Sequence, residues 1–249
     1  MPSIPLAVVA ALDDEIRIIR SRMDVDSRVH IRPSLFTLGQ YEGKPLILVR
    51  GGMGMDSMRR AMEYLVERYR PDFCLHVGYC GGADPRYGPG DLVIAESVVD
   101  AKTGESYKPK QERLEQAEKL CKERGIRYRR GTLVSVAEMI ESPHEKAFVG
   151  TQNEAQAIDM ESAAFADVLS SNGMDYLIVR AVFDPLDIAL PSLGDVVDDE
   201  GGTDTVALAG HVIKNPKDIL RFPKLKYCAM QARQAITRFV HAWQGGEDE

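Results

Sequence analysis

The sequence predicts an α/β fold, a single domain in which helices cover both faces of a central, mostly parallel (mixed) twisted sheet. Short β-branched runs alternate with helical patterns, and the strands are near-continuous apolar stretches, as in buried parallel sheets. The 249 residues, 44% hydrophobic and 28% charged, suit one such domain. No repeat or linker divides the chain, so we expect one domain over 1–249, with a basic C-terminal extension at about 212–249.

Each element follows from residue periodicity and from turn and cap signals. Strands are predicted at 5–12, in pieces of 28–52 around turns at Gly39 and Glu42-Gly43, and at 72–80, 91–99, 131–136 and 176–183. The first predicted helix starts with residues 14–23. Further helices are predicted at 56–70, 112–124, 161–171 and 224–243. Asp56 is expected to cap the second helix. The loop 184–205 is long and acidic, which is typical of functional or mobile loops.

Composition narrows the functional class. The net charge of −7 and the pI of about 5.4 argue against a nucleic-acid partner. The four cysteines show no C-x-x-C spacing, which favours free thiols in a reducing cytoplasm. The N-terminus has no basic region typical of a signal peptide, and no apolar run approaches the roughly 20 residues of a membrane span. We therefore expect a cytoplasmic protein, and nothing in the sequence indicates a metal site or a cofactor.

Three acidic residues each lie just past a hydrophobic strand: Glu15, Glu161 and Asp184. Ligands of α/β sheets bind at the carboxyl ends of strands, where three carboxylates can supply a base, a clamp for a diol and an acid. Each residue also has a simpler interpretation. Glu15 suits a helix N-terminus, where the dipole favours an acid. Glu161 suits a helix surface, and Asp184 suits a turn before a proline.

Two glycine motifs also follow strands, namely Gly51-Gly52-Met53-Gly54 and Gly78-Tyr79-Cys80-Gly81-Gly82. Glycines at such turns permit close backbone approach to a ligand, although either motif alone is weak evidence. Cys80 could be read as a nucleophile between glycines. Because no histidine stands at a suggestive spacing, a small core residue is the better interpretation of Cys80.

Five motifs stand in a defined order along the chain: A-L-D-D-E (11–15), G-M-G (52–54), G-Y-C-G-G (78–82), D-M-E-S-A-A (159–164) and R-A-V-F-D (180–184). This order over residues 5–185 resembles the nucleoside phosphorylase / methylthioadenosine–S-adenosylhomocysteine nucleosidase superfamily. The resemblance implies a nucleoside phosphorylase-like fold, a homo-oligomer and cleavage of the N-glycosidic bond of a purine nucleoside.

The resemblance also implies roles for single residues. Asp184 matches the aspartate that protonates or hydrogen-bonds the purine at N7, and Glu15 matches the glutamate that orients the attacking water. Glu161 matches the glutamate that binds the ribose 2′- and 3′-hydroxyls, and Met160 the methionine packed on the sugar. Met139 stands where nucleosidases usually have a phenylalanine over the base. The remaining predicted substrate-binding residues are Gly54, Tyr79, Cys80 and Gly81.

The nucleophile is predicted to be water. Where phosphorylases of this superfamily carry an arginine and a serine, this chain has His76 and Tyr79, and the acids at 13–15 would repel phosphate. Arg50 with His76 remains an alternative, weak anion site. His76 is otherwise an ordinary buried strand residue.

Two features bear on the 5′-substituent. The segment 100–112 is much shorter than the corresponding nucleosidase loop, and residues 214–238 carry seven Lys or Arg against one acid, among apolar side chains. This combination resembles the hopanoid-associated branch, whose members release adenine from adenosylhopane. The alternatives are a methylthioadenosine/S-adenosylhomocysteine nucleosidase, a phosphorylase, or a non-catalytic nucleoside-binding protein. The basic segment would either meet anionic lipid as a peripheral membrane contact or cover the sheet edge.

Overall fold

The computed structural model describes residues 5–190 and 222–246. Predictions for 191–221, which include most of the acidic loop and the first part of the basic segment, lie outside the described residues. The strands are β1 Ala7–Ala10, β2 Asp24–Ile31, β3 Ser34–Tyr41, β4 Lys44–Arg50, β5 Phe73–Gly82, β6 Leu92–Asp100, β7 Ser106–Tyr107, β8 Tyr128–Ser135, β9 Ala157–Asp159 and β10 Asp175–Asp184. The helices are α1 Asp13–Ser21, α2 Met55–Arg68, α3 Gln111–Glu123, α4 Pro143–Gln152, α5 Ser162–Ser171 and α6 Phe222–Trp243.

All the described strands belong to one mixed sheet with the order β10-β6-β8-β9-β5-β1-β4-β3-β2, and β7 pairs with β6. Strand β10 pairs with β5 as well as with β6, so that β5, β9, β8, β6 and β10 close into a ring. Strands β1, β5 and β10 run parallel to one another, and their carboxyl ends therefore meet at one edge. The predicted α/β fold is confirmed. The closure of five strands into a ring was not predicted.

The helices cover both faces of the sheet, because each face carries its own apolar cluster. Met58 and Leu65 of α2 pack with Phe165 of α5 on one face. On the other face, α1 and α3 pack with α6, whose Phe239 is fully buried. The final helix is therefore an integral layer of the domain from Leu225 onward. Within the described parts of the chain, none of the helices is long and apolar enough to span a bilayer.

Two local predictions were wrong. Gly39 is not in a turn but inside β3, opposite a bulge in β2, where a Cβ would collide with the carbonyl oxygen of Asp24. Asp56 does not cap α2, because the N-cap is Gly54, whose φ of 85° favours glycine. The turn at Glu42-Gly43 is confirmed by a positive φ at both residues. Helix α4 and the short strands β7 and β9 were not predicted.

Candidate active site

The predicted site residues converge on one cavity of about 360 Å³ at the carboxyl ends of β1, β5 and β10. Eight of the nine predicted residues line it: Glu15, Tyr79, Cys80, Gly81, Met139, Met160, Glu161 and Asp184. The ninth, Gly54, does not line the cavity but donates its N–H to the Oε1 atom of Glu161 over 2.8 Å. A larger depression of about 540 Å³ lies near β6 and α3 but contains none of these residues. We place the site in the smaller cavity because the buried carboxylates converge there.

Glu15 joins the start of α1 to the end of β5. Its Oε2 accepts the N–H of Leu12 over 2.8 Å, and its Oε1 accepts the N–H of Tyr79 over 2.7 Å. The residue is 2% exposed. Burial raises the pKa of Glu15, while Arg180 and the backbone donors oppose that rise. A carboxylate held in this way can accept a proton from a ligand in the cavity, a role that a merely dipole-favoured surface acid would not have.

Glu161 is the N-cap residue of α5 and is buried, so the interpretation as a surface helix residue is wrong. Its Oε1 is fixed by Gly54, and its Oε2 lies 3.8 Å from Nη2 of Arg180. Burial raises the pKa of Glu161, Arg180 lowers it, and the neighbouring Asp159 raises it further. The glycine turn thus serves to hold a site carboxylate.

Arg180 was part of a predicted motif but received no role, and the structure places it against two of the carboxylates that line the cavity. It is fully buried, and its Nη2 lies 2.6 Å from Oδ2 of Asp159, 3.0 Å from Oγ of Ser162 and 3.1 Å from Nε2 of His76. Burial opposes its charge, but the surrounding carboxylates outweigh burial and raise its pKa. An arginine inside the apolar run YLIVRAVF was the sequence signal for this cluster, since a buried charge needs partners.

The close approach of Arg180 to Glu15 depends on Gly78. A Cβ on Gly78 would collide with Nη1 of Arg180 and with Oε1 of Glu15. Nη1 is buried, and no described residue hydrogen-bonds to it. Arg180 therefore forms ion pairs with Asp159 and Glu161, and its positive charge also opposes the rise in the pKa of Glu15.

Asp184 ends β10 and is 4% exposed, so it is not an ordinary turn residue before a proline. Its Oδ2 lies 2.6 Å from the ammonium of Lys146, a residue of α4 that is 1% exposed. Burial raises the pKa of Asp184 to about 6, although Lys146 opposes the rise. Lys146 was not predicted as a site residue, because the helix that carries it was not predicted either.

None of the residues His76, Tyr79 and Cys80 supplies a positive charge for an anion. His76 is fully buried and stacks on Phe165 with ring centroids 4.4 Å apart, and burial together with Arg180 lowers its pKa well below the usual range. It is therefore neutral at neutral pH. The Tyr79 hydroxyl donates to Oδ2 of Asp14 over 2.7 Å. Burial raises the pKa of the Cys80 thiol well above its usual range, which argues against a nucleophile there.

Apart from Asp14, Lys146 and Asp159, the rest of the cavity wall is apolar. It is formed by Ala11, Leu12, Met53, Val136, Ile140, Ile158, Phe183, Leu190, Leu225 and Ala229. Leu225 and Ala229 come from α6, so the last helix contributes to the site. Within 5–190 and 222–246, no group of three His, Cys, Asp or Glu side chains is arranged to hold a metal ion. The site therefore combines a cluster of paired carboxylates with a wide apolar surface.

This fold and this arrangement of acids at strand ends match a known family. A family model described as the phosphorylase superfamily matches residues 5–209. The chain belongs to the phosphorylase superfamily, as the five ordered motifs predict.

The relatives are nucleosidases. The 5′-methylthioadenosine/S-adenosylhomocysteine nucleosidase of Geobacillus kaustophilus is 30% identical over 72% of this chain and 83% of its own length. The enzyme of the same name from Bacillus licheniformis is 29% identical over 72% of this chain and 85% of its own.

Solved structures share the fold. The nucleosidase of the same name from Neisseria meningitidis, in complex with methylthio-immucillin-A, has a TM-score of 0.73 at 19% identity and covers 96% of this chain and 99% of its own. Futalosine hydrolase of Helicobacter pylori has a TM-score of 0.72 at 16% identity. The match covers 96% of this chain and 97% of the futalosine hydrolase chain. The narrower resemblance to the hopanoid-associated branch stays a prediction.

Proposed function

We propose that this protein hydrolyses the N-glycosidic bond of a 5′-substituted adenosine and releases adenine. The observation that carries the proposal is the meeting of three buried carboxylates, Glu15, Glu161 and Asp184, in one cavity. The nucleosidase relatives support an N-ribosyl hydrolase. A pure binding protein would not need an acid and a base on the same ligand.

Each carboxylate suits one part of the reaction. As the C–N bond breaks, its electron pair moves onto the purine and the ribose takes on oxocarbenium character. Asp184 donates a proton to N7, which a raised pKa favours. Glu161 accepts hydrogen bonds from the ribose diol and stabilises the cation. Glu15 takes a proton from the attacking water.

Water suits this cavity better than phosphate does. Five carboxylates line it, and among the described lining residues the one cation is Lys146, which is paired with Asp184. Neutral His76 supplies no positive charge. The buried Arg180 is already paired with Asp159 and Glu161, so an incoming phosphate would meet repulsion without an unpaired cation to compensate for it. A phosphorylase therefore remains the weaker alternative.

We propose adenosylhopane, whose 5′-substituent is apolar, as the best single candidate for the substrate. The alternatives are methylthioadenosine and S-adenosylhomocysteine. The apolar wall that includes Leu225 and Ala229 supports this. The test is adenine release, measured by chromatography, from adenosines with 5′-substituents of increasing apolar length. The value of kcat/KM should rise by up to about fourfold per buried methylene, because each contributes about 0.8 kcal/mol.

Two controls sharpen this test. Leu225→Ala should flatten the dependence on tail length while cleavage of methylthioadenosine persists. The 2′-deoxy analogues should react poorly if Glu161 binds the diol. The absence of adenine release from every adenosine in the series would contradict the proposed function.

We further propose that residues 1–249 form one catalytic domain, that the domain works as a homo-oligomer, and that the basic segment 214–238 brings it to anionic lipid. The exposed Tyr227 and Met230 of α6 support a peripheral membrane contact, since they stand on the helix that also lines the cavity. The acidic body and the water-insoluble candidate substrate are consistent with it.

A further inference from the structure

Lys146 is a buried lysine whose ammonium group is fully engaged on one side of the cavity. Its Nζ lies 2.6 Å from Oδ2 of Asp184 and 2.8 Å from the carbonyl oxygen of Ile188. The carbonyl oxygens of Asp184 and Pro185 lie at 3.4 Å. The lysine therefore ties α4 to the first residues after β10, where the candidate acid stands.

Such a lysine is poorly explained by stability alone. Burying an ammonium group is costly, and buried ion pairs can often be replaced by apolar side chains of similar volume without loss of stability. Removing only one partner of a buried ion pair destabilises the folded protein, because the other charge is left buried and unpaired. The placement of this pair in the wall of the cavity points instead to a role in the chemistry of Asp184.

We propose that Lys146 is a positioning residue for the acid: it fixes Oδ2 of Asp184, leaves Oδ1 for the purine, and stabilises the carboxylate that remains after proton transfer. The inference rests on the proposed function. The proton passes from the Asp184 carboxyl to purine N7 as the C–N bond pair moves onto the base. The new carboxylate then lies against the Lys146 ammonium.

The other titratable groups near Asp184 do not supply this charge. Cys80 of β5 and Cys228 of α6 both lie within its electrostatic reach, and burial raises the pKa of each thiol, so both are neutral. Asp187 lies on the segment after β10 and is paired with Lys224 of α6 at 3.8 Å. Lys146 is thus the cation in direct contact with Asp184 among the described residues.

The test compares the protein with Lys146→Met, which keeps the side-chain length and removes the charge. Carbon-13 NMR of labelled aspartate carboxyls, assigned with Asp184→Asn, measures the pKa of Asp184 without any substrate. Loss of a cation in contact should raise that pKa by about 1–3 units. The limb of the kcat/KM profile that falls as Asp184 loses its proton should move to higher pH by the same amount.

The controls separate positioning from general structure. Lys110→Met removes a lysine that contacts Asp175 at the other end of β10, at 3.4 Å, and should shift neither measurement. Lys146→Gln is a second neutral variant if the methionine variant does not fold, and Lys146→Arg should restore the pKa that Asp184 has in the wild type. An unchanged Asp184 pKa in the folded neutral variant overturns the inference, even if adenine is released normally. A raised pKa in a protein that cleaves no nucleoside supports the contact and contradicts the proposed function instead.

Discussion

Asp184 is the residue on which the proposed chemistry depends most. Asp184→Asn keeps the shape and an oxygen for Lys146 but removes the transferable proton, so adenine release should fall by about 10²–10⁴. The matched control is Asp175→Asn at the other end of the same strand, where Asp175 contacts Arg113 over 2.8 Å. The control should keep its rate, and circular dichroism should show both variants folded. Near-normal turnover of Asp184→Asn would remove Asp184 from the mechanism.

Glu15 is proposed to activate water. Glu15→Gln should lower turnover by about 10²–10⁴, while the nucleoside still binds, because the amide cannot accept the proton. Binding is measured by calorimetry and turnover by adenine release. Glu112→Gln, at an exposed acid in the first turn of α3, controls for the helix dipole. Equal small losses in both variants would favour the dipole interpretation of Glu15 over a role as base.

At the scale of elements, α4 shows why periodicity alone missed one site residue. Its buried residues are Lys146 and Gly150, whereas Phe148 is 57% exposed. The helix therefore buries a charged side chain and exposes an aromatic one, which is the reverse of the usual arrangement. The sequence did contain a start signal, since Ser142 caps the helix and Pro143 occupies its first position. Capping signals would have located α4 where hydrophobicity could not.

Helix α6 connects the C-terminal segment to the site. Arg233 donates to Asp14 over 2.6 Å, and Asp14 in turn accepts the Tyr79 hydroxyl. Arg238 donates to the carbonyl oxygen of Arg124, and Lys224 pairs with Asp187. These contacts with the body support the interpretation of a basic helix that covers the domain edge.

Co-sedimentation with vesicles tests the membrane proposal. The protein should bind anionic but not neutral vesicles at low salt and should dissociate as salt rises, because screening limits the reach of charge to about 8 Å at physiological ionic strength. Changing Lys217, Arg221, Lys224 and Lys226 to Gln should abolish binding. A control with the exposed Lys102, Lys108, Lys119 and Lys122 changed to Gln loses the same charge and should still bind. If the wild type does not bind anionic vesicles at low salt, the membrane proposal is wrong, and the basic segment only covers the edge of the domain.

At the scale of the whole molecule, the sequence predicted the class of fold and the converging acids but not their partners. Glu15, Glu161 and Asp184 could be found because each follows an apolar strand. The contacts of Arg180 with His76 and of Lys146 with Asp184 join residues 104 and 38 positions apart, and only the folded sheet brings them together. The ring closure was also hidden, since strand periodicity does not state that β10 pairs with both β5 and β6.

The most direct test of the central claim is product analysis with a cleavable 5′-substituted adenosine, in phosphate-free buffer and in buffer with phosphate. A cavity lined by five carboxylates should use water under both conditions. We predict the same rate of adenine release in each, equal amounts of adenine and free reducing sugar, and no sugar phosphate. Adenine release that requires phosphate, with ribose 1-phosphate derivatives among the products, would contradict the account and identify a phosphorylase.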